Sequence, residues 1–243
     1  MGQYWKVVNL AKCQTASWDH WGKHGECLFD GSPDMLVPLL KQAAPHATNS
    51  ISALPPEKSW AGDCIICLSH YHEDLPAGLL STAEQEELDK GDEGRGMSLY
   101  QFTSEHYQYV GGISAFNQPQ LSGGHWILCN LSKNKYVHEE AIKVAGVKGM
   151  SDNHSSKEIG LGQVVLSHIC WSTDNSCAMG YYNKEIHRGV WAGDCFDITT
   201  INQVGIEDGR KWTDVSDEVA KEMMEIWVGK YGNEWLEDKV SAL

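Results

Sequence analysis

The densest group of potential metal ligands lies between positions 64 and 74. Cysteine and histidine follow one another there at short spacings, and the four candidate ligands are Cys64, Cys67, His70 and His72. Thiolate and imidazole are the ligands that zinc takes in a tetrahedral site. All four lie within nine residues, however, and on a strand Cys64 and Cys67 would point to opposite faces. We therefore favour a buried cysteine pair with two loop histidines, and we do not expect a metal cofactor.

A second group combines aromatic, imidazole and guanidinium side chains. Its members are His168, Trp171, Tyr181, Tyr182, His187 and Arg188. The pattern places His168 and Cys170 at the end of a strand, where they could form a nucleophile and its base, but no third orienting residue can be assigned. Rings beside an arginine and two histidines favour a ligand-binding pocket for a flat or hydroxylated small molecule. The alternative is ordinary packing with a solvated loop.

Motifs of several enzyme classes are incomplete in this sequence. The segment 112–116 (GISAF) lacks the last glycine of a serine-hydrolase nucleophile elbow, and 138–142 (HEEAI) lacks the second histidine of a zinc-protease motif. There is no phosphate-binding loop and no dinucleotide fingerprint. We therefore assign no catalytic residue, and a binding protein is favoured over an enzyme.

Two segments recur in the two halves of the chain. Residues 4–12 (YWKVVNLAK) match 125–133 (HWILCNLSK), and WAGDC occurs unchanged at 60–64 and 191–195. Between them, 25–28 can be aligned with 162–165 as a glycine-led strand. Such repetition indicates an internal duplication. We predict two modules, 1–110 and 125–243, joined by a Gly/Ser/Gln-rich linker over 111–124.

The recurring residues are interpreted as structural anchors. They are Trp5, Asn9, Trp60, Asp63, Trp126, Asn130, Trp191 and Asp194. In Trp-Ala-Gly-Asp the tryptophan is a large buried anchor, the glycine permits a positive φ, and the aspartate accepts hydrogen bonds from the turn it starts. A catalytic aspartate would rarely need its whole pentapeptide duplicated. The segment is therefore predicted to be a corner of the scaffold.

Strand signals outnumber helix signals along the chain. Short helices are predicted over 34–42, where Pro38 limits the length, and over 83–90, where Ser81 and Glu84 have the spacing of a capping box. An amphipathic C-terminal helix is predicted after Ser216, because apolar residues recur there at helical spacing. The predicted fold is α+β and sheet-dominated, with two pseudo-repeated modules packed across a tryptophan-rich interface.

Charge and hydrophobicity exclude several partners. The 243 residues include 33 acidic against 19 basic ones, for a formal net charge of −14. This charge argues against nucleic acids and anionic membranes as partners. No apolar run is long enough to span a bilayer, and the N-terminus lacks the apolar run of a signal peptide. We therefore predict a cytoplasmic protein whose eight cysteines are reduced.

The sequence resembles a family of cytosolic proteins from fungal fruiting bodies, most of which have no assigned activity. The resemblance rests on both WAGD segments, on 3–10 (QYWKVVNL) and on 187–191 (HRGVW). Family members usually have arginine after WAGD, where this chain has Cys64 and Cys195, and Gly-Asp-Tyr where it has 69–71 (SHY). These departures place unusual thiol and imidazole groups at equivalent corners.

The resemblance associates the chain with a pink chromoprotein from an oyster mushroom, which is similar in size and binds a small indolone-type pigment. It implies that positions 64, 70, 72 and 195 shape a pigment site. We therefore expect non-enzymatic binding of a small aromatic or conjugated molecule. Two alternatives stay open: a cytosolic lectin whose tryptophans stack on sugars, and a thiol- or zinc-dependent enzyme centred on Cys64, Cys67, His70 and His72.

Overall fold

The computed structural model describes ten parts of the chain, and all structural statements below refer to them. They are residues 4–17, 28, 36–41, 59–70, 75–90, 97–111, 125–144, 159–172, 189–203 and 210–231. These residues form two β-sheets and several helices, so the prediction of an α+β protein is confirmed. Within the described ranges, no helix combines the length and apolar character that crossing a bilayer requires.

Nine strands and six helices can be delimited within these ranges. The strands are β1 (Trp5–Asn9), β2 (Gln14–Ala16), β3 (Ile65–Ser69), β4 (Gln108–Tyr109), β5 (Trp126–Asn130), β6 (Lys135–His138), β7 (Cys170–Trp171), β8 (Phe196–Thr200) and β9 (Thr213–Asp214). The helices are α1 (Leu36–Leu40), α2 (Thr82–Lys90), α3 (Leu99–His106), α4 (Glu139–Val144), α5 (Leu161–Ile169) and α6 (Ser216–Tyr231).

The first sheet has the strand order β4-β2-β1-β3-β7. Strand β1 runs antiparallel to β2 and β3, whereas β4 and β7 extend the sheet in parallel pairing at its two edges. Every residue of β1 and β3 is buried. Strands buried on both faces have nearly continuous apolar sequences, which explains why these two lack clear alternation.

The second sheet has the strand order β8-β5-β6-β9 and repeats the central arrangement of the first. Strand β5 runs antiparallel to β6 and β8, and β9 pairs in parallel with β6. Lys41, directly after α1, forms a parallel bridge with Ile198 of β8. In the same way, β7 directly follows α5 and pairs in parallel with β3. Each half of the chain thus adds a short extended segment to the sheet of the other half.

Two helices begin with capping boxes. Ser81 N–H donates to Glu84 Oε2 at 2.8 Å and Glu84 N–H donates to Ser81 Oγ at 3.3 Å, which confirms the predicted start of α2. Ser98 and Gln101 form the same reciprocal pair at the start of α3. These bonds satisfy N–H groups that have no partner inside the helix.

The predicted strand over 162–165 is wrong, and so is the placement of His168 at the end of a strand. This segment belongs to α5, and only Cys170 and Trp171 after it are extended. All nine residues of α5 are buried. A short apolar run buried on all sides carries no periodicity that separates helix from strand. Leu28, which the sequence aligns with Val165, is also helical and fully buried.

The main hydrophobic core contains residues from both sheets. Strands β1, β3, β5 and β8 contribute to it together with α1, α5 and α6, and its tryptophans include Trp5, Trp60, Trp191 and Trp227. A smaller cluster lies on the opposite face of the first sheet, around Val8, Ile66 and Leu68. Leu88 of α2 and Leu99 of α3 cover this second face.

Candidate functional site

The aspartate of the first Trp-Ala-Gly-Asp segment binds side chains that follow the opening strand. Asn9 Nδ2 donates to Asp63 Oδ2 at 2.8 Å, and Lys12 Nζ lies 3.1 Å from the same oxygen. Asn9 Oδ1 accepts the Lys12 N–H at 3.0 Å, and Gly62 has the predicted positive φ of 86°. The described contacts of the Asp63 carboxylate are therefore with Asn9 and Lys12 rather than with the backbone of its own turn.

The second corner has the same contacts at equivalent positions. Asn130 Nδ2 donates to Asp194 Oδ2 at 2.7 Å, Lys133 N–H donates to Asn130 Oδ1 at 3.0 Å, and Lys133 Nζ pairs with the Asp194 carboxylate. Gly193 has a positive φ of 84°. Both asparagines are buried, so the two carboxylates hold the end of an inner strand in place. This geometry supports the interpretation of the segments as structural corners.

The two corners meet at Cys64 and Cys195. Ile65 N–H donates to Asp194 O at 3.1 Å and Phe196 N–H donates to Asp63 O at 3.2 Å, which places the two cysteines opposite each other in an antiparallel bridge. They form a disulfide. The prediction of reduced thiols is therefore wrong for this pair, because pairing between the two halves creates a proximity that sequence spacing does not show. Four other cysteines, Cys13, Cys67, Cys129 and Cys170, are not disulfide-bonded.

The residues considered as zinc ligands are not brought together. Cys64 is bonded to Cys195, and Cys67 belongs to the main core. His70 lies on the other face of the first sheet, where its ring contacts Tyr100. His72 lies outside the described residues. Among the residues that the structure describes, no group of three or more His, Cys, Asp or Glu side chains could hold a metal ion.

His168 is part of the core. It is 3% exposed, and its ring stacks on Trp191 with a centroid separation of 4.2 Å. Its Nδ1 lies 2.7 Å from Val164 O, and its Nε2 lies 3.3 Å from Glu222 Oε2. Nδ1 also lies 2.9 Å from Ser167 Oγ, so both ring nitrogens of His168 have polar contacts with α5 or α6.

Trp171 lies on the face of the first sheet that is turned away from the main core, in one row with Lys6 of β1. The strand register pairs Lys6 with Leu68 and Leu68 with Trp171. Neighbouring strands are about 4.8 Å apart, so Lys6 and Trp171 flank Leu68 on its two sides. Trp171 is partly buried and packs on the smaller hydrophobic cluster.

Two further rings lie beside this row, at the end where β1 begins. Tyr4 N–H donates to His70 Nδ1 at 2.9 Å and His70 N–H donates to Tyr4 O at 3.0 Å. The ring centroids of Tyr4 and His70 are 5.5 Å apart, and those of His70 and Tyr100 are 6.1 Å apart. Because His70 Nδ1 accepts a hydrogen bond, the neutral ring carries its proton on Nε2. We call Tyr4, Lys6, His70, Tyr100 and Trp171 the aromatic face.

Lys6 is the buried polar group of the aromatic face. The lysine as a whole is 5% exposed. Its Nζ donates hydrogen bonds to Tyr100 O at 2.5 Å and to Ser104 Oγ at 2.6 Å. The same nitrogen lies 4.0 Å from the centroid of the Tyr100 ring. Burial lowers the pKa of Lys6 from 10.5 to about 7, because the charged form loses hydration. Burial also raises the pKa of Tyr100.

The four remaining residues of the predicted ligand group are outside the described part of the chain. They are Tyr181, Tyr182, His187 and Arg188. The chain after Arg188 returns to α5 and β7 at Gly189, whose N–H donates to Cys170 O at 2.6 Å. A Cβ at Gly189 would lie 2.1 Å from His168 O, so the close approach requires glycine.

Tyr4, Lys6 and Tyr100 were not predicted as site residues. One signal was present for Lys6, because it interrupts an apolar strand whose second copy has Ile127. A lysine at a fully buried strand position is uncommon and calls for a partner. Tyr100 lies far away in the sequence on a helix that was not predicted, so no local pattern connected it to Lys6.

Comparison of the chain with protein-family profiles, with curated proteins and with solved structures finds no match. The family resemblance of the sequence therefore stays a prediction.

Proposed function

We propose that the protein binds a small, flat aromatic or conjugated molecule at the aromatic face, without catalysing a reaction. The observation that carries the proposal is the row Lys6–Leu68–Trp171, which three neighbouring strands hold in register. Tyr100 lies above one end of this row, and its carbonyl oxygen accepts a hydrogen bond from Lys6. Rigid strands thus hold an amine and an indole at a fixed spacing.

The composition of the face suits a flat ligand with one or two polar atoms. Aromatic rings pack well against other rings in offset or edge-to-face arrangements. Binding sites for small molecules are commonly apolar and aromatic, with a few polar groups that fix the orientation. Here Lys6 Nζ is a donor, which suits a carbonyl or phenolate oxygen. The pigment predicted from the family resemblance belongs to this chemical class.

We further propose that the two halves arose by duplication and that only the first acquired this face. The corner contacts recur at equivalent positions, and so does the exchange of segments between the sheets. At the positions that match Lys6 and His70, the second half has Ile127 and Ile201. The scaffold is therefore repeated, whereas the polar side chains of the face are not.

A titration with a flat aromatic probe tests the binding proposal. We expect naphthalenemethanol to bind the protein saturably, with heat or fluorescence as the readout. Trp171→Ala and Tyr100→Ala are expected to weaken binding by about tenfold or more, which corresponds to ~1.4 kcal/mol. Tyr109→Ala is the matched control, because Tyr109 is 51% exposed on the opposite edge strand β4.

Protein taken from its natural source gives an independent test. We expect a visible absorption band and a small molecule that mass spectrometry detects after denaturation. A colourless protein that retains no small molecule and does not bind the probe would contradict the proposal.

A lectin is the second candidate, since Tyr4 is 55% exposed and Tyr109 51% exposed, and exposed rings can stack on sugars. A glycan array decides whether sugars bind, with Tyr109→Ala as the variant that should lose binding.

The thiol- or zinc-dependent enzyme gains no support, because Cys64 is bonded to Cys195 and Cys67 faces away from His70. Cytoplasmic localisation stays a prediction, and the disulfide argues against it, because disulfides are rare in reducing compartments.

A further inference from the structure

We propose that Lys6 attaches covalently, as an imine, to the carbonyl group of an aryl aldehyde or aryl ketone held at the aromatic face. The inference rests on the proposed binding function and names the chemical class and the attachment point of its ligand. It starts from the position of the amine, which is buried against the Tyr100 ring instead of extending into solvent.

The amine is buried but lies one contact away from the surface. Lys6 Nζ donates to the hydroxyl of Ser104, and Ser104 itself is exposed on α3. Tyr4 lies at the same end of the first sheet, directly before β1, and is 55% exposed. A small carbonyl compound can therefore reach the nitrogen from this end by displacing the Ser104 hydroxyl, which has its own acceptor in Tyr100 O at 2.8 Å.

The protonation state distinguishes Lys6 from the lysines of the two corners. With a pKa lowered to about 7 by burial, roughly half of Lys6 is a neutral amine with a lone pair at neutral pH. Lys12 and Lys133 instead form ion pairs with the carboxylates of Asp63 and Asp194. Desolvation is a recognised way to activate a lysine toward carbonyl compounds.

The reaction needs no further reagent. The lone pair of Lys6 Nζ forms a bond to the carbonyl carbon, and a proton moves from nitrogen to the former carbonyl oxygen to give a carbinolamine. The carbon–oxygen bond then breaks while the carbon–nitrogen double bond forms. The oxygen leaves as water with the two protons that the amine carried, so no oxidation or reduction occurs.

The rings around Lys6 favour an aryl over an aliphatic carbonyl compound. The register places Trp171 two strands away from Lys6, on the far side of the buried Leu68. Tyr100 lies against the amine itself, with its ring centroid 4.0 Å from Nζ. An aliphatic aldehyde of similar reactivity lacks the ring that these contacts would hold.

The test compares naphthaldehyde with naphthalenemethanol, which has the same ring system but no carbonyl group. Wild-type protein is incubated with naphthaldehyde, the imine is reduced with cyanoborohydride, and peptide mapping locates the adduct. We expect the adduct at Lys6, with a labelling midpoint near pH 7, the value to which burial lowers the pKa of this amine. Lys6→Ile introduces the residue of the matching position 127 and should abolish the adduct, while Lys90→Arg should leave it unchanged.

The outcomes separate this inference from the binding proposal. Labelling confined to exposed lysines, with naphthalenemethanol still binding, would overturn the covalent step and leave the binding proposal standing. Failure of both compounds to bind would overturn both. If Lys6→Ile does not fold, the pH dependence of labelling at Lys6 in the wild type still decides, because an amine with the ordinary pKa of 10.5 would be labelled only at higher pH.

Discussion

The two corner aspartates have equivalent partners and should contribute equally to stability. Replacing Asp63 or Asp194 by alanine leaves the buried amide of Asn9 or Asn130 without its acceptor. We predict that each substitution lowers the free energy of unfolding by about 2–3 kcal/mol, the cost of a buried donor left unpaired. Urea denaturation measures this, with Glu86→Ala on the exposed side of α2 as a control that should change stability by less than ~0.5 kcal/mol. A large loss at only one corner would contradict the equivalence.

Lys6 should make stability rise with pH. Its pKa is about 7 in the folded protein and 10.5 as the ordinary value, so between these values the unfolded chain holds a proton that the folded chain has released. Stability then increases with pH, at up to ~1.4 kcal/mol per unit. From about pH 7 to about pH 9 we predict that the wild type gains roughly 2 kcal/mol relative to Lys6→Ile. Denaturation curves of both proteins at these two pH values measure the difference, and parallel pH profiles would contradict it.

At the residue scale, the sequence was informative where contacts repeat. Trp60, Asp63 and Asn9 were identified as anchors because each has a second copy, and the structure places Asn9 against Asp63. The contact between Lys6 and Tyr100 occurs only once and joins residues that are far apart in the chain. No repetition or periodicity marks such a contact, so its residues were missed.

The disulfide should be the strongest single connection between the two Trp-Ala-Gly-Asp corners, which directly precede β3 and β8. It joins cysteines 131 residues apart, and closing a loop of that length restricts the unfolded chain strongly. We predict that Cys64→Ser, Cys195→Ser and the double variant each lower the free energy of unfolding by the same amount, about 2–5 kcal/mol. Cys13→Ser is the control, because Cys13 is exposed and not disulfide-bonded. Unequal single variants, or a stability that reductant does not change, would contradict the prediction.

At the scale of elements, repeated anchors mark the ends of the central strands, whereas the buried helix was not predicted. The apolar segments that became β1, β3, β5 and β8 stand beside Asn-Leu-x-Lys or Trp-Ala-Gly-Asp, which marked their ends. Helix α5 has no such marker, begins at Leu161 after the N-cap residue Gly160 and is buried on every side. Its hydrophobic pattern therefore lacks the polar face that reveals a helix.

The whole molecule depends on the exchange of segments between its halves. Strand β7 completes the sheet of the first half, and Lys41 pairs with β8 of the second. We predict that fragments separated by a break at position 117 do not fold alone but associate when co-expressed, and that non-reducing electrophoresis shows them joined through Cys64 and Cys195. Gel filtration and circular dichroism measure this. Two fragments that each fold as independent monomers would show that the exchanged segments are dispensable.

The claim that the aromatic face is the binding surface can be tested on Trp171 itself. A proton–nitrogen correlation spectrum resolves the indole N–H signals of the ten tryptophans, and Trp171→Phe identifies the signal of interest. On titration with naphthalenemethanol, we predict a saturable shift of the Trp171 signal. The Trp60 signal should stay in place, because its Nε1 is buried and donates to Gln14 Oε1 at 2.7 Å. A Trp171 signal that does not move while the probe binds would show that the ligand site lies elsewhere.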